Sequence, residues 1–224
     1  MVVMGGVLRL VLARHGQTPA NVAKTLDTVL PGPGLTDLGR LQAEALGKEL
    51  AADPVGPVTV LASSAARRAQ ETAGLVAPSL GLTPAVVEGT FEVQVGDLEG
   101  RNDERSIEVF RATYEAWRGG DLTARMPGGE SGQDVLDRYL PAVAGLRDEH
   151  GTDGGAIVLV SHGAVLRVVA HALVGELDDL GPDDHVDNCG RVVLRSAPDG
   201  GWVLEAWRRE APGGLASSRD ATGG

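Results

Sequence analysis

The sequence predicts an α/β fold: a single-domain three-layer sandwich with a mostly parallel sheet, helices on both faces and a small helical cap insertion. Three observations lead there. Short apolar runs alternate with stretches of helical spacing, the pattern of strand–helix–strand units. The runs at 7–13 and 156–160 are almost continuously apolar, as strands covered on both faces are. No linker or shift in composition divides the 224 residues, which are enough to bury one sizeable core.

Val7–Ala13 reads as the first buried strand and ends at Arg14-His15-Gly16. Beyond Pro31 and Pro33, Thr36 is an N-cap for a helix whose Leu38, Leu41, Ala45, Leu46 and Leu50 share a face. Val58–Leu61 is a second strand, leading through Ser63-Ser64 into a helix over 65–76. A third strand covers 84–87, and 90–101 is a loop punctuated by glycine. Helices fit 103–117 and 131–147, the latter started by Pro127-Gly-Gly-Glu-Ser131 with Ser131 as cap. Ala156-Ile-Val-Leu-Val160 is the clearest strand, and Gly163 opens a helix that runs to Leu173. Strands at 191–195 and 202–207 pair as a hairpin across Pro198-Asp199-Gly200-Gly201. One domain therefore spans 1–210 with its cap at 95–129, and the small, polar, glycine-rich segment 211–224 is expected to be disordered.

Composition narrows the function. Twenty basic against 31 acidic residues leave a net charge of -11, a poor match to nucleic acid or to a membrane surface. Neither is expected as a partner, and any anionic ligand must be held by a local cluster of positive groups. Aromatic residues are only 3%, which argues against recognition by stacking. The single cysteine, Cys189, excludes an internal disulfide and a thiolate zinc site, and it reads as a small apolar residue. With no leader-like or bilayer-length apolar segment, the expected location is the cytoplasm.

In open parallel sheets, ligands bind beyond the carboxyl ends of the strands. His15 and His162 each follow an apolar strand and precede a glycine, so both belong on that rim. Arg14 stands beside the first, Arg67 and Arg68 lie early in the helix after the second strand, and Glu92 lies in the glycine-rich loop. Arginine presents a planar fork of donors that matches phosphate oxygens. A neutral imidazole attacks phosphorus, and a carboxyl group serves as proton donor to a leaving oxygen. These residue types together point to a phosphoryl group.

The same residues carry a family resemblance. Leu12-Ala-Arg-His-Gly-Gln-Thr18 followed by Asn21 resembles the signature of the histidine phosphatase superfamily, the phosphoglycerate mutase-like proteins. Leu35-Thr36 with Gly39 and Gln42-Ala43, then Ser63-Ser64 with Arg68-Ala69 and Thr72-Ala73, are similar to later blocks of that family. So are Glu92 with Gly96 and Glu99-Gly100, Pro127-Gly-Gly-Glu-Ser131, and Val160-Ser-His-Gly163. Leu98 stands where an aromatic residue is common, and Ala65 where an acidic one is. The resemblance implies that His15 is the nucleophile and that Arg14, Arg68 and His162 clamp the phosphoryl oxygens. Glu92 would be general acid and then base. Asn21, Gly163 and the cap residue Arg101 would contact substrate, and no metal or organic cofactor is implied.

The function expected is a phosphomonoester hydrolase acting on a small phosphorylated metabolite. A cofactor-dependent phosphoglycerate mutase is the alternative within the enzymes. It needs a basic cluster for the substrate carboxylate, and the cap region offers Arg101, Arg105 and Arg111 but no lysine follows Lys48. A non-catalytic phospho-ligand binding protein is the alternative outside them. Elsewhere, Asp183-Asp184-His185 with Asp187 reads as a solvated acidic turn and not a metal cluster, while His150 and His171 read as structural.

Overall fold

A computed structural model describes residues 7–52, 56–151, 154–175, 184–217 and 220. Six strands form one sheet in the order β3-β2-β4-β1-β5-β6. They are β1 (Leu8–Arg14), β2 (Val58–Ser63), β3 (Ala85–Val86), β4 (Gly155–Ser161), β5 (Arg191–Ser196) and β6 (Trp202–Arg208). The first four run parallel, β5 lies antiparallel to β1, and β6 returns antiparallel to β5 as the expected hairpin. The helices are α1 (Pro19–Ala23), α2 (Asp37–Ala52), α3 (Arg67–Leu80), α4 (Glu104–Arg118), α5 (Gly132–His150) and α6 (Gly163–Val174).

Strand periodicity sorts the core into two layers. Leu8, Leu10 and Leu12 of β1 join Ile157 and Leu159 of β4 on one face, under α4, α5 and α6. Val11 and Ala13 join Val158 and Val160 on the other, under α2 and α3. Both faces being covered is what makes these central strands read as unbroken apolar runs. Phe110, Tyr114 and Trp117 put α4 into the first of these layers, so the helix of the expected cap is also part of the core.

Helix ends follow the sequence closely. Thr36 Oγ1 accepts the Gly39 N–H, and Ser131 forms a reciprocal capping box with Asp134. Asp103 caps α4. The short α1 begins with a second capping box, Thr18 with Asn21, just beyond the end of β1. No described helix is long and apolar enough to cross a membrane.

Topology fixes the site. From β1 the chain leaves by α2 on one face toward β2; from β4 it leaves by α6 on the other face toward β5. Connections diverging from two adjacent parallel strands open a crevice at their carboxyl ends. The register pairing Arg14 with Ser161 places His15 and His162 side by side at that crevice.

The segment after β6 is not disordered where it is described. Pro212–Gly214 forms a 3-10 turn against α2, with Ala211 and Pro212 buried. Gly213 N–H reaches Glu49, and the Leu215 carbonyl accepts from Gln42 Nε2 at 2.7 Å. Small residues leave room for close approach to the helix, so the composition that suggested disorder permits packing instead. Residues 218–219 and 221–224 of that expectation lie outside the described residues.

Candidate active site

His15 and His162 meet edge to face with ring centroids 5.2 Å apart, and Arg68 lies between them. Its Nε–H is shared by His15 Nε2 at 3.2 Å and His162 Nδ1 at 3.1 Å. Both imidazoles therefore accept on the nitrogen that faces Arg68, and each carries its proton on the other nitrogen. His15 Nδ1–H donates to the Gly16 carbonyl at 2.7 Å, and His162 Nε2–H donates to Ser64 Oγ at 2.7 Å. Burial lowers the pKa of both rings well below the ordinary histidine value, and the neighbouring guanidinium of Arg68 lowers it further. His15 thus presents a neutral Nε2 lone pair to the pocket.

Arg68 is itself buried, and its Nη1 has no hydrogen-bond partner among the described residues. A buried guanidinium donor left open is costly unless an anion completes it. Its neighbour Arg67 is exposed and pairs with Glu71 along the helix, whereas Arg68 lines the cavity.

Arg14 is almost wholly inaccessible and donates Nη1–H to the Val186 carbonyl at 2.9 Å. Its Nη2 meets the carboxylate of Asp220, which also takes a hydrogen bond from Asn21 Nδ2. Asn21 serves both as cap partner of Thr18 and as pocket donor. Asn188 ties these parts together: its Nδ2 donates to the His15 carbonyl at 3.1 Å and to Asn21 Oδ1 at 3.2 Å.

Glu92 is 3% exposed and lies at the amino end of α6. Oε1 accepts from Val165 N–H at 2.9 Å and Oε2 from Ala164 N–H at 3.1 Å. A helix N-terminus is a natural seat for a carboxylate, and this one ties the Glu92 loop to the helix that begins beside His162. Arg138 of α5 holds the loop from behind, donating to the carbonyls of Gly89, Phe91 and Glu92 and to Glu130. His15, Asn21, Arg68 and Glu92, with Thr18, Ala20, Thr25 and Asp27, line one small, narrow cavity.

Close backbone approach shapes the loop that follows His15. A Cβ on Gly16 would stand 2.4 Å from the Gly39 carbonyl oxygen, and one on Gly39 would stand 2.2 Å from the Gln17 carbonyl oxygen. Glycine is required at both because the opposing atoms are backbone and cannot swing away. Thr72 Oγ1 receives Gly16 N–H at 3.0 Å and donates to the Arg68 carbonyl at 2.7 Å, coupling the loop to the pocket arginine.

Not every expected residue converges. Arg101 is largely exposed and pairs with Asp103 at 2.9 Å, outside the cavity lining. Gly163 is buried as the first residue of α6, where its carbonyl accepts from Arg167 Nε. The acidic turn is corrected at Asp184, which is 3% exposed and held by Arg167 at 3.0 Å, by the Tyr114 hydroxyl and by His171. Burial works to raise its pKa, but His171, Arg167 and Arg118 outweigh it and keep the carboxyl ionised. Arg167 of α6 and Arg118 of α4 supply the compensation that a local reading of the turn does not reveal. Asp183 lies outside the described residues.

Ser64, Asn188 and Asp27 adjoin the site, and Asp220 meets Arg14 and Asn21 from outside the cavity lining; the sequence reading gave none of the four a role. Ser64 had a signal, since its block was matched. The other three sit in segments without periodicity or repeated spacing.

Comparison with known proteins identifies the family. The family model of the histidine phosphatase superfamily (branch 1) matches residues 10–210. A 2,3-bisphosphoglycerate-dependent phosphoglycerate mutase of Methylobacterium radiotolerans is 36% identical over 194 residues, 85% of this chain and 90% of that protein. A glucosyl-3-phosphoglycerate phosphatase of Mycolicibacterium vanbaalenii is 33% identical over 222 residues, 92% and 96% of the two chains. PE-PGRS family protein PE_PGRS11 of Mycobacterium tuberculosis is 33% identical over 87% of this chain, which spans only 35% of that longer protein. Among solved structures, the native mycobacterial glucosyl-3-phosphoglycerate phosphatase Rv2419c superimposes with a TM-score of 0.76 at 30% identity, covering 91% of this chain and all of that one.

Proposed function

We propose that this chain, which belongs to the histidine phosphatase superfamily, hydrolyses small phosphomonoesters in the cytoplasm through a phosphohistidine intermediate. The observation that carries the reading is the Arg68 bridge: one buried arginine of the cavity lining spans two neutral histidines, and its Nη1 has no hydrogen-bond partner among the described residues. His15 Nε2 attacks phosphorus in line with the ester oxygen. The P–N bond forms, the P–O bond breaks, and the departing oxygen takes a proton from the carboxylic acid form of Glu92. Arg14, Arg68, Asn21 and His162 hold the non-reacting phosphoryl oxygens and offset the charge that gathers on them. The Gly16 carbonyl accepts from Nδ1–H and so supports the imidazolium character that His15 acquires. Water then attacks phosphorus, gives its proton to the Glu92 carboxylate, and inorganic phosphate leaves with Nε2 restored.

A sugar phosphate or a phosphorylated small acid is the substrate class, consistent with the glucosyl-3-phosphoglycerate phosphatases to which the chain is similar. The mutase is retained as a second reading because a relative at 36% identity bears that name. Two features weigh against it. Arg101, the candidate for a substrate carboxylate, is engaged with Asp103 in solvent, and the cavity lining includes the acidic Asp27. The deciding experiment follows phosphate release from a panel of phosphomonoesters in EDTA, beside interconversion of 3- and 2-phosphoglycerate. Release without interconversion is expected; interconversion with little release establishes the mutase, and neither activity leaves a binding protein.

A further inference from the structure

The carboxylate of Asp220 sits where an anionic ligand is expected. Its Oδ2 meets both Arg14 Nη2 and Asn21 Nδ2, two of the donors that the reading above assigns to phosphoryl oxygens. The side chain is 3% exposed, enclosed as a substrate group would be. Its approach is prepared by a series of anchors along the C-terminal segment. Ala211 and Pro212 are buried, and Glu49 and Gln42 of α2 bind the backbone at Gly213 and Leu215. Ser217 Oγ then donates at 2.9 Å to Asn188 Oδ1, and Asn188 is the residue whose Nδ2 touches the His15 carbonyl and Asn21. The final anchor therefore leads to the residue that supports the nucleophile's loop.

We propose that the C-terminal segment is a tethered competitor, with Asp220 occupying the phosphoryl pocket as a carboxylate in place of phosphate until substrate displaces it. The proposal rests on the reading of Arg14 and Asn21 as phosphoryl contacts. A carboxylate satisfies the same fork of donors with one negative charge and two oxygens. A phosphoryl dianion brings greater charge and more acceptors, so it wins the exchange once its concentration is sufficient. A tethered ligand acts at a high effective concentration even when its intrinsic affinity is low. If the segment is docked in about nine molecules of ten, apparent ligand affinity is about tenfold weaker than the open pocket provides. The segment thus sets the threshold concentration at which the enzyme responds, without touching the reacting atoms.

The test compares the full chain with Asp220→Ala and with a chain ending at Ser217, which keeps the packed Ala211 and Pro212. Inorganic phosphate binding is measured by calorimetry, and hydrolysis of p-nitrophenyl phosphate by steady-state kinetics. Both variants are expected to bind phosphate about tenfold more tightly and to show KM lower by a similar factor, with kcat within about twofold. Unchanged or weaker phosphate binding in the variants overturns the competitor while leaving the phosphoryl pocket intact. Absence of phosphate binding and turnover in all three chains overturns the pocket reading itself, and the competitor with it.

Discussion

At His15 the hydrogen on Nδ1 decides the chemistry. Because the Gly16 carbonyl claims that hydrogen, Nε2 is left as the acceptor, and Arg68 Nε holds it in place until a phosphoryl oxygen takes over the donor. Arg68→Lys keeps a charge but loses the Nε–H shared by both rings and the Nη1 donor. We expect kcat/KM to fall by about 10²–10³ in that variant, measured by steady-state hydrolysis. An effect below tenfold would mean that charge alone is needed there. Glu92 has a distinct signature as proton donor. Glu92→Gln should slow hydrolysis of alkyl phosphates by about 10²–10⁴ and of p-nitrophenyl phosphate, whose leaving group needs no proton, much less. Equal loss on both substrates would reduce Glu92 to a clamp on α6. His15, His162, Arg14 and Arg68 were legible because each lies at a fixed offset from an apolar strand or in a matched block. Asn188 and Asp220 were not, since a residue that reaches the site from an irregular segment leaves no periodic trace.

The strands and the larger helices were readable because their apolar spacing is set by which faces they bury. The observed boundaries differ by only a few residues: α3 extends past the expected end to Leu80, carrying Pro78 within it, and α5 runs on to His150. The five residues of α1 are too few to display a period, and its sequence signatures are the capping box and Pro19 in its first turn. The expected cap contains α4, which lies between β3 and α5 and spends its aromatic face on the core. Trp117→Ala should therefore cost about 3–5 kcal/mol in chemical denaturation, as for a buried aromatic side chain; a cost under about 1 kcal/mol would show α4 to be a detachable lid. The loop after β1 and the start of α2 form a tighter unit. Gly39→Ala must push backbone against the Gln17 carbonyl, so we expect a loss of about 1–3 kcal/mol in stability and a fall in kcat/KM of about tenfold or more. Thermal melts with and without phosphate, together with kinetics, separate the two effects.

For the molecule as a whole, a net charge of -11 surrounds a pocket where Arg68 bridges two neutral histidines. That pocket links protonation to stability. In the unfolded chain each histidine titrates near about 6.5, whereas burial and then Arg68 hold both folded pKa values well below that. Below the unfolded value the unfolded state binds more protons, so stability is lost as pH falls, each ring adding a slope approaching about 1.4 kcal/mol per pH unit. Melting temperature should drop between about pH 6.5 and 5, less steeply in a His15→Asn, His162→Asn double variant; parallel profiles would contradict a buried neutral pair. The central claim is covalent transfer to His15. The most direct measurement is rapid quenching of the enzyme with ³²P-labelled substrate into base, followed by mapping of the labelled peptide. The account predicts an acid-labile, base-stable label on the peptide containing His15, lost in His15→Ala together with hydrolysis. Label on any other residue, or hydrolysis that survives the substitution, would contradict it.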